Sequence, residues 1–262
     1  MSSALKFLDT SIGRKVLMSL TGIFLCTFLI IHVSGNLQLF LNDQGLAFNT
    51  YSVFMTTFIP IKIISYLLYA SILLHVISGI RITLQNRAAR PVPYNAAKDQ
   101  RSASWASKNM ALLGIIVLVF MVTHLANFWY KYKFGDVPWT EYKVEMASGK
   151  VLSKAIVANT DGIVPHNYFI KDESGNTIQS VVVRDLYEVV QVAFREAWVV
   201  VLYLIGMIAL AYHLVHGFQS AFQTLGIRHK SYTPIIRGIG VWVFGIIIPL
   251  LFAAMPVYFF FS

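Results

Sequence analysis

The sequence predicts an all-α integral membrane protein, a single membrane domain over residues 1–262. Five transmembrane helices form its bundle, with the N-terminus cytoplasmic and the C-terminus outside. Three observations predict this. The chain is 56% hydrophobic and 13% charged, with a mean hydropathy of +0.63, more apolar than a soluble domain can bury. Five stretches carry no Asp, Glu, Lys or Arg and are long enough to cross a bilayer. The basic residues gather on connections that share one side.

The charge-free stretches are Val16–Asn42 (27 residues), Ile63–Ile80 (18), Asn109–Tyr130 (22), Ala197–Ile227 (31) and Gly238–Ser262 (25). Each spans a hydrocarbon core about 30 Å thick at roughly 1.5 Å per helical residue. They place helices at about 16–42, 61–80, 109–130, 197–224 and 238–261. The first follows Arg14 and Lys15 but is too long for a signal-peptide core and ends in no small-x-small cleavage site, so it is read as a mature helix.

Lys6, Arg14 and Lys15 precede the first span. Arg81, Arg87, Arg90, Lys98, Arg101 and Lys108 fill the second connection against Asp99 alone, and Arg228, Lys230 and Arg237 fill the fourth. Twelve of the 21 basic residues thus lie on one side, which is the cytoplasmic side by the positive-inside rule. Anionic lipid and a docked partner both suit that face. Nucleic acid does not, because these charges only border spans.

The third connection, residues 131–196, is an extracytoplasmic loop with eight basic and nine acidic residues. Its Val-rich runs Lys150–Ala158 and Thr177–Val183, with turn signals at Asn159–Gly162 and Asp172–Asn176, predict a small hairpin cap. Asp185-Leu-Tyr-Glu188 reads as a capping box opening an amphipathic helix that feeds the fourth span. His166 reads as an exposed loop residue.

Cys26 is the only cysteine, so this chain holds no disulfide, covalent haem or iron–sulfur cluster. Histidines carry the chemistry instead: His32, His75, His124, His213 and His216 all lie within spans, where ionisable groups are costly and mark function. Counted from the cytoplasmic ends, His32 and His124 sit about 22–24 Å deep, and His75 and His213 about 9 Å. Two pairs at two depths suit two haems, each iron taking one neutral imidazole from each of two facing helices.

Local repeats support the pairing. His75-Val-Ile-Ser-Gly79-Ile-Arg81 matches His213-Leu-Val-His-Gly217-Phe-Gln219, and a glycine four residues on, on nearly the same helix face, leaves room for a porphyrin edge. A small-residue helix contact is the alternative. Gly22…Phe28…His32 matches Gly114…Phe120…His124, with each glycine about 15 Å cytoplasmic of its histidine, at the depth of the inner pair. Ser19, Thr21 and Arg81 lie at a depth suited to haem propionates. His216 suits a propionate hydrogen bond or a helix contact, and His229 the surface. Asn36, Gln38 and Asn127 lie just beyond the outer pair, positioned for a quinone or a propionate, though interfacial polarity accounts for them equally.

These residues resemble a known family. His32 in Ile-Ile-His-Val-Ser-Gly-Asn, His75 in Leu-His-Val-Ile-Ser-Gly-Ile-Arg, His124 in Val-Thr-His-Leu-Ala-Asn, and the run from Tyr212-His213 through Gly217 to Gly226 are similar to the dihaem cytochrome b subunit of succinate:quinone oxidoreductases and fumarate reductases. The resemblance covers all five spans but not the loop 131–196. It implies a multi-pass subunit of the bacterial cytoplasmic membrane that anchors a flavoprotein and an iron–sulfur subunit on the cytoplasmic face, FAD and clusters being theirs. It implies two haems b, the inner held by His75 and His213 and the outer by His32 and His124. Electrons from succinate would pass through them to quinone, expected to be menaquinone, in the respiratory chain and tricarboxylic acid cycle. Some members carry a Glu two residues before the fourth ligand, linked to proton movement; Ala211 stands there, which speaks against that route here. Two rivals remain: a cytochrome b subunit of a hydrogenase or formate dehydrogenase, and a haem-free transporter using the histidines as proton relays.

Overall fold

The structure, a computed structural model, describes residues 10–89, 105–158 and 162–262. Lys6, Arg90, Lys98, Asp99, Arg101 and most of the Asn159–Gly162 turn lie outside them. The chain is mostly helical, and five helices are long and apolar enough to cross a membrane: Ser11–Phe40, Ile59–Ala88, Met110–Phe134, Ala197–Thr224 and Thr233–Phe261.

Helix α1 (Ser11–Asn36) is capped by Thr10, whose hydroxyl accepts from Gly13 N at 3.0 Å, and it ends in a 3-10 turn, Leu37–Phe40. Helix α2 (Leu46–Thr57) is capped by Asp43, whose carboxylate accepts from Gly45 N at 3.0 Å and Ala47 N at 2.8 Å. Helix α3 (Ile59–Ala88) starts with Pro60 in its first turn, where a missing N–H costs nothing. It runs past Arg81 to Ala88. Helix α4 (Met110–His124) passes at His124 into a π-helical stretch, Leu125–Tyr130, then a last turn, Lys131–Phe134.

After the third connection come α5 (Leu186–Phe194), α6 (Ala197–Thr224), α7 (Thr233–Ile239), a wide π turn over Gly240–Ile247, and α8 (Ile248–Phe261). The wide turn lies just before Pro249, whose ring crowds the carbonyl four residues back and offers no N–H.

The third connection corrects the all-α expectation. It folds as a four-stranded antiparallel sheet, β1 (Trp139–Glu145), β2 (Val151–Ile156), β3 (His166–Lys171) and β4 (Thr177–Arg184), in the order β2-β1-β4-β3. The two Val-rich runs are β2 and β4, and they do not pair as a hairpin: β1 lies between them, with Tyr142 opposite both Lys154 and Val181. His166 opens β3 opposite Val182, exposed but in a strand rather than a loop.

The chain divides into two compact units. One comprises Met1–His32, Ile64–Met121 and Val201–Ala254; the other comprises Val33–Ile63, Val122–Val200 and Met255–Ser262. In the first, helices approach through small residues. A Cβ on Gly206 would meet the Phe120 ring at 2.7 Å, and Phe120 stands edge-on to Tyr203 with centroids 5.0 Å apart. Phe218 packs on Phe244 at 4.7 Å.

In the second unit, a buried polar cluster ties the sheet to α2 and α5. Asp185 is 2% exposed. Its carboxylate accepts from Asn49 Nδ2 (2.8 Å), Thr140 Oγ1 (2.9 Å) and Glu188 N (3.0 Å), and pairs with Lys154 Nζ (2.8 Å). Asn49 also donates to the Tyr142 hydroxyl at 2.9 Å and accepts from Tyr187 N at 2.9 Å. Every acceptor of a costly buried charge is thereby satisfied. Burial, then the neighbouring Asp185 carboxylate, hold the Tyr142 phenol above its ordinary value. The capping contact Glu188 N to Asp185 Oδ1 belongs to this cluster and opens α5.

Candidate functional site

The first unit brings His75 of α3 and His213 of α6 together. Their ring centroids lie 6.2 Å apart, with planes at 63°, and both side chains are half-buried. A metal–imidazole bond of about 2.0–2.1 Å puts two rings that ligate one ion from opposite sides at roughly 6 Å between centres. Rotation of either ring about that axis leaves ligation intact, so the angle is compatible.

Two glycines flank the pair in matching positions. A Cβ on Gly22 of α1 would meet His75 Cε1 at 3.4 Å, and one on Gly114 of α4 would meet His213 Cε1 at 3.8 Å. The glycines four residues beyond each histidine face methionines instead: Gly79 meets Met18 Cε at 3.4 Å, and Gly217 meets Met110 Cε at 3.7 Å. Helices α1 and α3 therefore interlock as α4 and α6 do. Met18 and Met110 were missed from the sequence, although each stands four residues before its glycine, a spacing that puts both on one helix face.

Thr21 and Ser19 are both buried. Ser19 donates to Lys15 O at 2.9 Å within its own helix. Thr21 lies 3.2 Å from His75 Nδ1, which makes it a partner of the imidazole itself. His213 Nδ1 is buried and has no hydrogen-bond partner. His216, three residues on, contacts Ser220 Oγ of the same helix through Nε2 at 3.3 Å. Arg81 is exposed on α3, and His229 is exposed as expected.

His32, at the end of the first unit, stacks on Phe28 one turn earlier at 5.1 Å and tilts against Phe252 at 5.4 Å. His124, in the second unit, stands where α4 becomes π-helical, a local widening found often at functional sites, and contacts Phe128 edge-on at 5.3 Å. Asn127 lies within that wide turn, and its Nδ2 is buried with no hydrogen-bond partner. Asn36 closes α1 and Gln38 lies in the following 3-10 turn, both half-buried.

Among the described residues no group of three or more His, Cys, Asp and Glu converges as a metal centre. The chemistry on offer is a two-imidazole set, which suits a metal whose other positions a macrocycle fills. No family model, curated protein or solved structure matches the chain.

Proposed function

We propose that this chain is a haem-b-carrying membrane subunit that conducts electrons between a soluble redox partner and quinone, of the succinate:quinone oxidoreductase kind. The observation that carries the reading is the His75–His213 pair, with ring centres at 6.2 Å and a glycine beside each ring. Donor type, ring spacing and flanking clearance fit a bis-imidazole haem. When bound, haem b supplies one-electron exchange between its ferric and ferrous forms.

The residues of the chain do the rest. His75 and His213 would hold the iron through neutral imidazole nitrogens, Gly22 and Gly114 keep the flanks of the rings clear, and apolar helices exclude water from the site. His32 and His124 are carried as ligands of a second haem on the strength of their matched depth in the sequence. Asn127 Nδ2, buried without a partner, is the donor best suited to a quinone carbonyl, with Asn36 and Gln38 as further candidates.

The basic connections favour a cytoplasmic N-terminus, with the His75–His213 level nearer that side. An iron–sulfur subunit and its flavoprotein would dock there, and menaquinone is the expected acceptor in a bacterial cytoplasmic membrane. Dicarboxylate chemistry belongs to those partners.

The test is the reduced-minus-oxidised absorbance spectrum of the purified chain together with its haem-to-chain ratio. A b-type α-band and two haems per chain are expected, falling to one in His75→Ala and in His213→Ala and staying at two in His216→Ala. A chain that purifies folded with no such band overturns the reading. Co-purification of a flavoprotein distinguishes the succinate-oxidising complex from other respiratory complexes.

A further inference from the structure

Helices α1 and α4 share a spaced set of residues. Met18, Gly22, Phe28 and His32 correspond to Met110, Gly114, Phe120 and His124, and the glycines and methionines of both sets make the same contacts across to α3 and α6. Thr21 immediately precedes Gly22; its counterpart before Gly114 is Leu113, buried like it. The correspondence thus breaks at the buried position beside the glycine.

That break falls on the imidazoles. The single Thr21 hydroxyl proton is committed to its own helix, donating to Leu17 O at 2.8 Å and Met18 O at 3.1 Å. With that proton used, its oxygen is placed to accept from His75 Nδ1, 3.2 Å away, and the Met18 backbone also bonds the same imidazole; both put the His75 proton on Nδ1 and leave the Nε2 lone pair free. Leu113 has no acceptor to offer, and His213 Nδ1 is without a partner.

We propose that Thr21 is a positioning residue that makes the two axial ligands of the inner haem unequal. By accepting the His75 Nδ1–H bond it fixes the tautomer and orientation of that ring and strengthens its donation to the iron, while His213 stays unassisted. This rests on the haem reading above. An acceptor on the non-ligating nitrogen raises the basicity of the ligand, and a more basic ligand favours the ferric state, so the bond lowers the potential of the inner haem. Thr21 does not touch the reacting group. It acts through His75.

The test is a redox titration, followed optically, of the wild-type chain and of Thr21→Val, Thr21→Ser and Leu113→Thr. The inner haem is identified as the one missing from His75→Ala, and the outer haem serves as the internal reference. Thr21→Val keeps the shape and removes the side-chain acceptor while the Met18 carbonyl stays, so the inner potential rises while the outer stays put. Thr21→Ser restores the wild-type value. Leu113→Thr supplies the missing acceptor to His213, and the inner potential falls. Loss of the inner haem in Thr21→Val with retention in Thr21→Ser supports the same bond.

Equal inner potentials in Thr21→Val and wild type, or loss of that haem in both Thr21 variants, overturns the inference and leaves the haem reading standing. A wild-type chain without haem overturns that reading itself.

Discussion

At the scale of single residues, clearance beside an imidazole is as demanding as the imidazole. Gly22 stands where a Cβ would already touch the His75 ring edge at 3.4 Å, which is ordinary contact, so alanine fits. A leucine does not. Its branch takes the volume the ring occupies, and overpacking a close helix contact displaces the softer partner. Gly22→Leu is therefore expected to remove one of two haems while the chain still inserts and folds, and Gly22→Ala to keep both; the haem-to-chain ratio reads this. If Gly22→Leu retains both haems, the glycine has no part in the site. The sequence made Gly22 and Gly114 visible through their shared distance from a histidine. It could not show that Thr21 meets His75, because a hydroxyl at a given depth has several partners within reach and only side-chain direction selects one.

At the scale of elements, the long apolar helices were legible and the sheet was only half so. Charge-free runs of bilayer length have few other fates. Strands β2 and β4 announced themselves by valine, but β1 points Thr140, Tyr142 and Val144 inward, and a polar threonine within that set blurs the alternation. Strand β3 is exposed at every position except Ile170 and carries no apolar face to read. Helix α2 centres on the fully buried Asn49, whose place depends on Asp185, 136 positions away, a pairing no local pattern encodes.

That pairing predicts how the cap fails. Asp185→Ala strands the partly buried Lys154 ammonium and leaves the Thr140 hydroxyl and Asn49 amide without their acceptor, a change expected to cost about 3–5 kcal/mol. Amide hydrogen exchange in β1 and β4 is the measurement, with loss of protection there expected and Asp185→Asn less affected. Unchanged protection in Asp185→Ala would show that the cluster does not hold the sheet.

At the scale of the whole molecule, the distribution of Lys and Arg makes two further predictions about orientation. Reporter fusions after Arg87 and after Lys230 are expected to report the cytoplasm, and one at Gly175 the opposite side; the reverse pattern would move the His75–His213 level away from any cytoplasmic partner. Apolar side chains such as Ile63, Leu67 and Leu84 face outward along α3, as a lipid-bathed helix requires. The most direct measurement is a density map of the purified chain at side-chain detail. The account predicts flat, metal-centred density between His75 and His213, with an imidazole nitrogen approaching from each side. Rings in direct contact with each other, or separated only by water, would contradict it.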